Sequence, residues 1–152
     1  MRTIKLKTLI LNGPKYREAY TIQIALEVLE LLKGGFADGA MARWRTLYEV
    51  SIIANFLSNN NEELSQRYLD YYFVENYYEM VEYQKNCEKL NYEPLSNKEI
   101  ENIEYFFLQQ KEKYGKDFVK PYGWVGDILP KQKWNFKGIE ETIDFSFFRP
   151  FY

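Results

Sequence analysis

Apolar residues recur at three- and four-residue steps along most of the chain, the period of helices that turn one face inward. Ile4, Leu6, Leu9, Ile10 and Leu11 make a short apolar segment, read as a short helix, which Asn12-Gly13-Pro14 ends. Over 15–33, Ala19, Ile22, Leu26 and Leu29 follow one face while Ile24, Val28, Leu31 and Leu32 cover a second, so this helix is expected to lie centrally, capped by Gly34. A third helix over 38–57 carries Met41, Trp44, Tyr48, Ile52 and Phe56 together with Leu47, Val50, Ala54 and Leu57, and is expected to be buried on two sides. After the turn at 58–61, a long helix over 62–90 should point Leu69, Phe73, Met80 and Val81 inward. Ser96 and Glu99 form a capping box for a helix that runs to Tyr114 and closes at Gly115. Pro121, Gly123, Gly126 and Pro130 then disfavour continuous helix, so the stretch around Tyr122, Trp124 and Ile128 is expected to pack as a lid, followed by a short helix over 137–145. The pattern predicts an all-α, single-domain bundle of about five or six helices with one irregular segment near its C-terminal end.

Composition narrows the chemistry more than the fold. The 152 residues, 46% of them hydrophobic and 18% aromatic, are enough for one domain with a real core. A net charge of −2 supplies no field that would gather nucleic acid or an anionic membrane. There is no histidine, which removes imidazole bases, Ser-His-Asp and Cys-His pairs and His-ligated metals. Cys87 stands alone, so no intrachain disulfide forms, and with no signal segment opening the chain a cytoplasmic setting is expected. Glu27, Glu30, Arg43, Arg45 and Glu49 interrupt the apolar stretches and leave no membrane span. The carboxylate runs Glu99, Glu101, Glu104 and Glu140, Glu141, Asp144 read as solvated helix faces, so no metal site is predicted. Neither GxGxxG nor GxxxxGKS/T occurs, and no cofactor is predicted.

Two groups of polar residues sit where apolar ones are expected. Tyr68, Tyr71, Tyr72, Tyr77, Tyr78 and Tyr83 crowd the long helix, but they alternate with Asp70, Glu75, Glu79 and Glu82 rather than with cations. That interleaving favours packing between helices, with hydroxyls reaching water, over a stacking platform for bases. In the third helix Arg45 and Glu49 are four apart on the face of Asp38, Ile52 and Phe56, while Arg43 lies on the stripe of Leu47, Val50 and Ala54. Arg45 and Glu49 are therefore expected to be largely buried and bonded to each other or to Asp38, Arg67 or Asp70, since breaking a buried pair costs about 3–5 kcal/mol.

The ordered segments DGAMARWRTLYE at 38–49, QRYLDY at 66–71, YGWV at 122–125, FKGIE at 136–140 and the terminal RPFY resemble the bacterial and phage-associated family of unknown function 5677. The resemblance implies an all-helical fold and a polar and aromatic signature of Asp38, Arg43, Arg45, Glu49, Arg67, Asp70, Tyr122 and Trp124. It implies no activity. Tyr48 and Tyr71 stand where the family pattern has His, and the sequence ends at Tyr152 before the VHA segment that the family pattern carries, so it is expected to be a shortened member. Arg43, Arg45, Glu49 and Tyr48 are the catalytic candidates, and Asp38, Arg67, Asp70, Tyr122 and Trp124 the binding candidates. The favoured reading is a binding or scaffolding module, accessory to a prokaryotic defence or stress system. The alternative is a degenerate relative of the HEPN ribonucleases acting on RNA, whose Arg, four to six residues, then His is matched by Arg43 and Tyr48 with Tyr in place of His. Phe145, Phe147, Phe148, Phe151 and Tyr152 concentrate apolar area at the terminus, where they are expected to fold back or to meet a protein partner or a second copy.

Overall fold

The computed structural model describes residues 14–145, with side chains from residue 21 onward. The described residues form five α-helices and no strand: α1 (Pro14–Lys33), α2 (Ala37–Ser58), α3 (Glu62–Asn86), α4 (Asn97–Tyr114) and α5 (Phe136–Thr142). Three single 3-10 turns, Glu88–Leu90, Gly123–Val125 and Lys131–Lys133, complete the order. The all-α fold class is as the apolar period predicts. The chain divides into two compact units, one of residues 1–62 and 135–152, the other of 63–134. The apolar segment at 4–11 and the aromatics at 147–152 lie outside the described residues.

In the first unit α1 packs on α2, and α5 packs on α2 as well. The face of α1 turned inward runs through Thr21, Ile24, Val28 and Leu31, with Ile24 fully buried. Ile22, Leu26, Leu29 and Leu32 are exposed, which corrects the expectation of a central helix. An all-round apolar pattern predicts partners on two sides, whereas the described element packed on α1 is α2. The end of α1 is set by two hydrogen bonds, from Phe36 N–H to the Leu31 carbonyl at 2.8 Å and from Gly35 N–H to the Leu32 carbonyl at 3.1 Å. Gly34 is the cap, but the left-handed residue the motif needs is Gly35, at φ +78. Burial in α2 is concentrated toward its C-terminal half, at Tyr48, Ile52, Ile53, Phe56 and Leu57, and Met41 is exposed rather than inward. The Asn135 side chain caps α5 by accepting from Gly138 N–H at 2.9 Å. This helix stops at Thr142, short of residue 145, with Asp144 in the left-handed region at φ +57.

In the second unit α3 buries Leu64, Arg67, Tyr68, Asp70, Tyr71, Val74 and Met80 along one stripe. Val81 falls off that stripe and is exposed, and Leu69 and Phe73 are half-buried, so the inward face is rotated from the predicted one. The helix ends at Asn86 instead of Leu90, and Tyr83 and Gln84 fasten the turn beyond it. The Tyr83 hydroxyl donates to the Glu93 carbonyl at 2.8 Å, and Gln84 Oε1 accepts from Leu95 N–H at 2.8 Å. The capping box of Ser96 and Glu99 opens α4 as predicted, and Gly115 at φ +85 closes it. Tyr77 of α3 stacks on Phe107 of α4, ring centroids 4.1 Å apart.

Beyond α4 the chain folds onto these two helices without becoming one. Phe118, Trp124, Val125 and Leu129 are buried, and Trp124 meets Tyr68 edge-on at 4.7 Å. Ile128 remains on the surface, against expectation. Tyr71 and Tyr78, seven residues apart on one face of α3, donate their hydroxyls to the carbonyls of Lys120 at 2.8 Å and Val119 at 3.3 Å. These tyrosines therefore satisfy loop backbone, where sequence reasoning had their hydroxyls reaching water. No described helix is long and apolar enough to cross a membrane.

Gly123 marks the tightest approach, because a Cβ there would lie 2.1 Å from the Phe118 carbonyl oxygen and 2.5 Å from that of Asp117. Gly123→Ala should destabilise the protein by at least about 2 kcal/mol in urea unfolding. At Gly39, within α2, the nearest atom to an added Cβ is a Leu31 side-chain carbon at 3.4 Å, so Gly39→Ala should instead stabilise by about 0.4–1 kcal/mol. Equal effects at the two positions would contradict this packing.

Candidate functional site

A guanidinium taken out of water needs acceptors in several directions, and Arg67, only 7% exposed, finds them in the irregular segment. Its Nε donates to the Trp124 carbonyl at 3.2 Å and its Nη2 to the Gly123 carbonyl at 3.4 Å, while its Nη1 forms an ion pair with Asp127 Oδ2 at 2.9 Å. The rings of Tyr114 and Phe118 lie 4.8 and 5.2 Å from the guanidinium carbon, so the planar cation is also held by aromatic faces. The Gly123 carbonyl is shared, accepting from Gly126 N–H at 3.2 Å as well. Tyr122 stands before both carbonyls at φ +58, which turns the backbone into the single 3-10 turn Gly123–Val125.

Three residues along α3 from Arg67, Asp70 faces α4 rather than the loop. Its carboxylate accepts from Lys113 Nζ at 2.8 Å, Tyr114 Oη at 2.7 Å and Gln66 Nε2 at 2.7 Å. Burial pushes its carboxyl up, but these three donors outweigh that and hold it below the ordinary Asp value. The hydrogen bond to Asp70 raises the Lys113 ammonium in turn. Burial lifts the Tyr114, Tyr68 and Tyr71 hydroxyls above the usual tyrosine range.

Beside Arg67 the segment leaves a cleft of about 320 Å3, walled by Tyr114, Phe118 and Trp134 and edged by Asp117, Asp127 and Lys131. Trp134 is fixed by its indole N–H, which donates to the Leu129 carbonyl at 2.9 Å, and its ring lies over Gly126, where an added Cβ would come within 2.7 Å of it. Asp117 accepts from Lys120 and Lys131, each at 2.6 Å, and these two bonds lower its carboxyl to about 2.

The candidates of the first unit are arranged otherwise. Arg45 and Glu49 do pair, at 3.0 Å, but Arg45 is exposed and Glu49 half-buried, so the expected burial is corrected. The stripe shared with Ile52 and Phe56 is covered only in the later turns of α2. Arg43 is half-buried and joins α2 to α1 through an ion pair with Glu27, while Asp38 stands exposed in the first turn of α2. Tyr48 is buried against Trp44, with ring centroids 5.6 Å apart, and donates its hydroxyl to Glu140, the Phe145 carbonyl lying 3.1 Å away. Glu140 itself is 1% exposed, which overturns its reading as part of a solvated carboxylate face.

Asp38, Arg43, Arg45, Tyr48 and Glu49 thus belong to the first unit, and Arg67, Asp70, Tyr122 and Trp124 to the second. Sequence reasoning missed Asp127, Lys113, Tyr114 and Trp134 as partners of the second group. For Glu140, its place at the end of FKGIE was the available signal.

One family model matches the chain, over residues 19–152, and it describes a family of unknown function, DUF5677. No curated protein and no solved structure matches significantly.

Removing Arg67 by mutation to Ala takes a buried donor from the Trp124 and Gly123 carbonyls, the latter keeping its bond from Gly126 N–H, and deprives half-exposed Asp127 of its cation, so a loss of about 1–3 kcal/mol is expected on chemical unfolding. Arg45→Ala, which breaks an exposed pair, should cost under about 1 kcal/mol. The acid limb of stability should respond to Asp70. A carboxyl lowered on folding stabilises fully above its ordinary value of 3.8, and that contribution disappears as pH falls through the native value. Asp70→Asn should therefore lower the melting temperature at neutral pH, the difference beginning to shrink below the ordinary Asp value and closing as pH falls through the lowered native one. A constant difference across the acid range would contradict the assignment.

Proposed function

Given that the chain belongs to the family of unknown function DUF5677, we propose that it is a binding or scaffolding module, accessory to a prokaryotic defence or stress system. The observation that carries this reading is the way Arg67 is spent. Its two hydrogen bonds and its ion pair hold the 123–127 segment in place instead of meeting a reacting group, as expected of a residue that shapes a recognition surface.

The first unit gives the same reading further support. A metal-independent ribonuclease needs a base and a cation at the scissile phosphate. Arg43 is engaged by Glu27, and Tyr48, in the position matched to the HEPN histidine, is buried with its proton directed at Glu140. An unperturbed tyrosine, near pKa 10, is a poor base at neutral pH in any case.

The test is an RNA-cleavage assay with the full chain on single-stranded and hairpin substrates. Products should not exceed the buffer background, and Arg43→Ala should match the parent. Cleavage by the parent that disappears in Arg43→Ala would replace this reading with the ribonuclease one.

A further inference from the structure

The cleft beside Arg67 combines features that define a ligand. Its volume of about 320 Å3 suits one small planar molecule, at the low end of pockets of roughly 300–1,000 Å3. Its walls supply an indole and two further aromatic rings. Its charges cancel: Asp117 and Lys131 neutralise each other across 2.6 Å, and Arg67 and Asp127 do so across 2.9 Å. A charged group entering here would meet as many repelling as attracting charges, so the balance favours a neutral ligand.

Arg67 and Asp127 then form the recognition pair. A guanidinium has five N–H donors, and three are engaged, leaving one on each Nη without a hydrogen-bond partner among the described residues. Asp127 meets Arg67 through Oδ2 alone, and its carboxylate is half-exposed at the mouth of the cleft. The cleft therefore offers a donor beside a carboxylate that can take two hydrogen bonds. The complementary edge is an acceptor followed by two adjacent N–H donors on a flat ring that stacks on Trp134. Among nucleobases guanine presents that edge, as O6, N1–H and N2–H. Adenine, cytosine and uracil each lack the adjacent pair of donors.

We propose that this cleft binds a guanine base, stacked on Trp134 and hydrogen-bonded to Arg67 and Asp127. The base can come from a free nucleoside or from an unstacked position in single-stranded RNA. The inference deepens the reading of the protein as a binding module and rests on it.

Calorimetric titration of the full chain with guanosine, inosine, adenosine and a short single-stranded RNA containing one guanine tests it. Guanosine should bind saturably and adenosine not at all, while inosine, which lacks the N2 donor, should bind about tenfold more weakly. Asp127→Asn, at a half-exposed position whose fold is checked by circular dichroism, should lose about tenfold in affinity, and Trp134→Ala a comparable factor. A strand that binds about a hundredfold tighter than guanosine supports an RNA source, and equal affinities support the free nucleoside. Absence of saturable binding by both guanosine and the strand overturns the proposal, as does binding unchanged in Asp127→Asn and Trp134→Ala. Either result would leave the cleavage assay, and so the binding-module reading, undisturbed.

Discussion

One guanidinium, held largely out of solvent, sets the terms for the whole second unit. Desolvating a cation costs several kcal/mol, which only acceptors placed in its plane and rings placed on its faces can offset. Arg67 obtains those acceptors from two consecutive carbonyls, at Gly123 and Trp124, and from Asp127. The turn aims both carbonyls at the guanidinium, and the Gly123 carbonyl serves two donors, Arg67 and Gly126 N–H at 3.2 Å, so the irregular course of this stretch and the buried charge are tied together. Gly123 follows from the same constraint, since the backbone must pass Phe118 too closely for any side chain.

Asp70 extends the arrangement in a second direction. Although it lies three residues from Arg67 on α3, no hydrogen bond joins the two, and each recruits a different part of the chain. Tyr114 connects them: its ring faces the guanidinium at 4.8 Å while its hydroxyl donates to Asp70 at 2.7 Å. Shifting Tyr114 to suit one network would disturb the other, which is the condition for non-additive mutational effects. One turn of α3 thereby fixes both the placement of the lid and the docking of α4.

The elements were legible where local chemistry decides them. Ser96 and Glu99 announce the start of α4, Gly115 its end, and Pro121 and Gly123 the loss of helix, because caps and turns depend on residues close in sequence. Which apolar face is covered was less legible. Ile22 and Leu26 carry the same signal as Ile24, yet Ile24 alone of the three is buried, since coverage depends on which elements arrive from elsewhere. The site followed the same division. Arg67, Asp70 and Trp124 could be marked as a group, but Asp127 and Tyr114, 60 and 47 positions along from Arg67, are partners that no helical period relates to it. Arg45 and Glu49 show the converse: their i, i+4 spacing correctly implied a pair, and spacing carries no information on solvent.

The ionisation pattern has a direction of its own. The structure lowers the carboxyls of Asp70, Asp117 and Glu99 and raises Lys113, Tyr68, Tyr71 and Tyr114, so all of these shifts move away from neutrality. With no histidine in the chain, the side chain that ordinarily titrates between pH 5 and 8 is missing as well. Tyr48 and Tyr71 occupy positions where the family pattern has His, and each directs a hydroxyl at a fixed acceptor, Glu140 and the Lys120 carbonyl. An imidazole could make a comparable hydrogen bond, but it would bring a charge that changes within the physiological range. In this chain Tyr71 makes that contact with a hydroxyl that burial pushes above the usual tyrosine range.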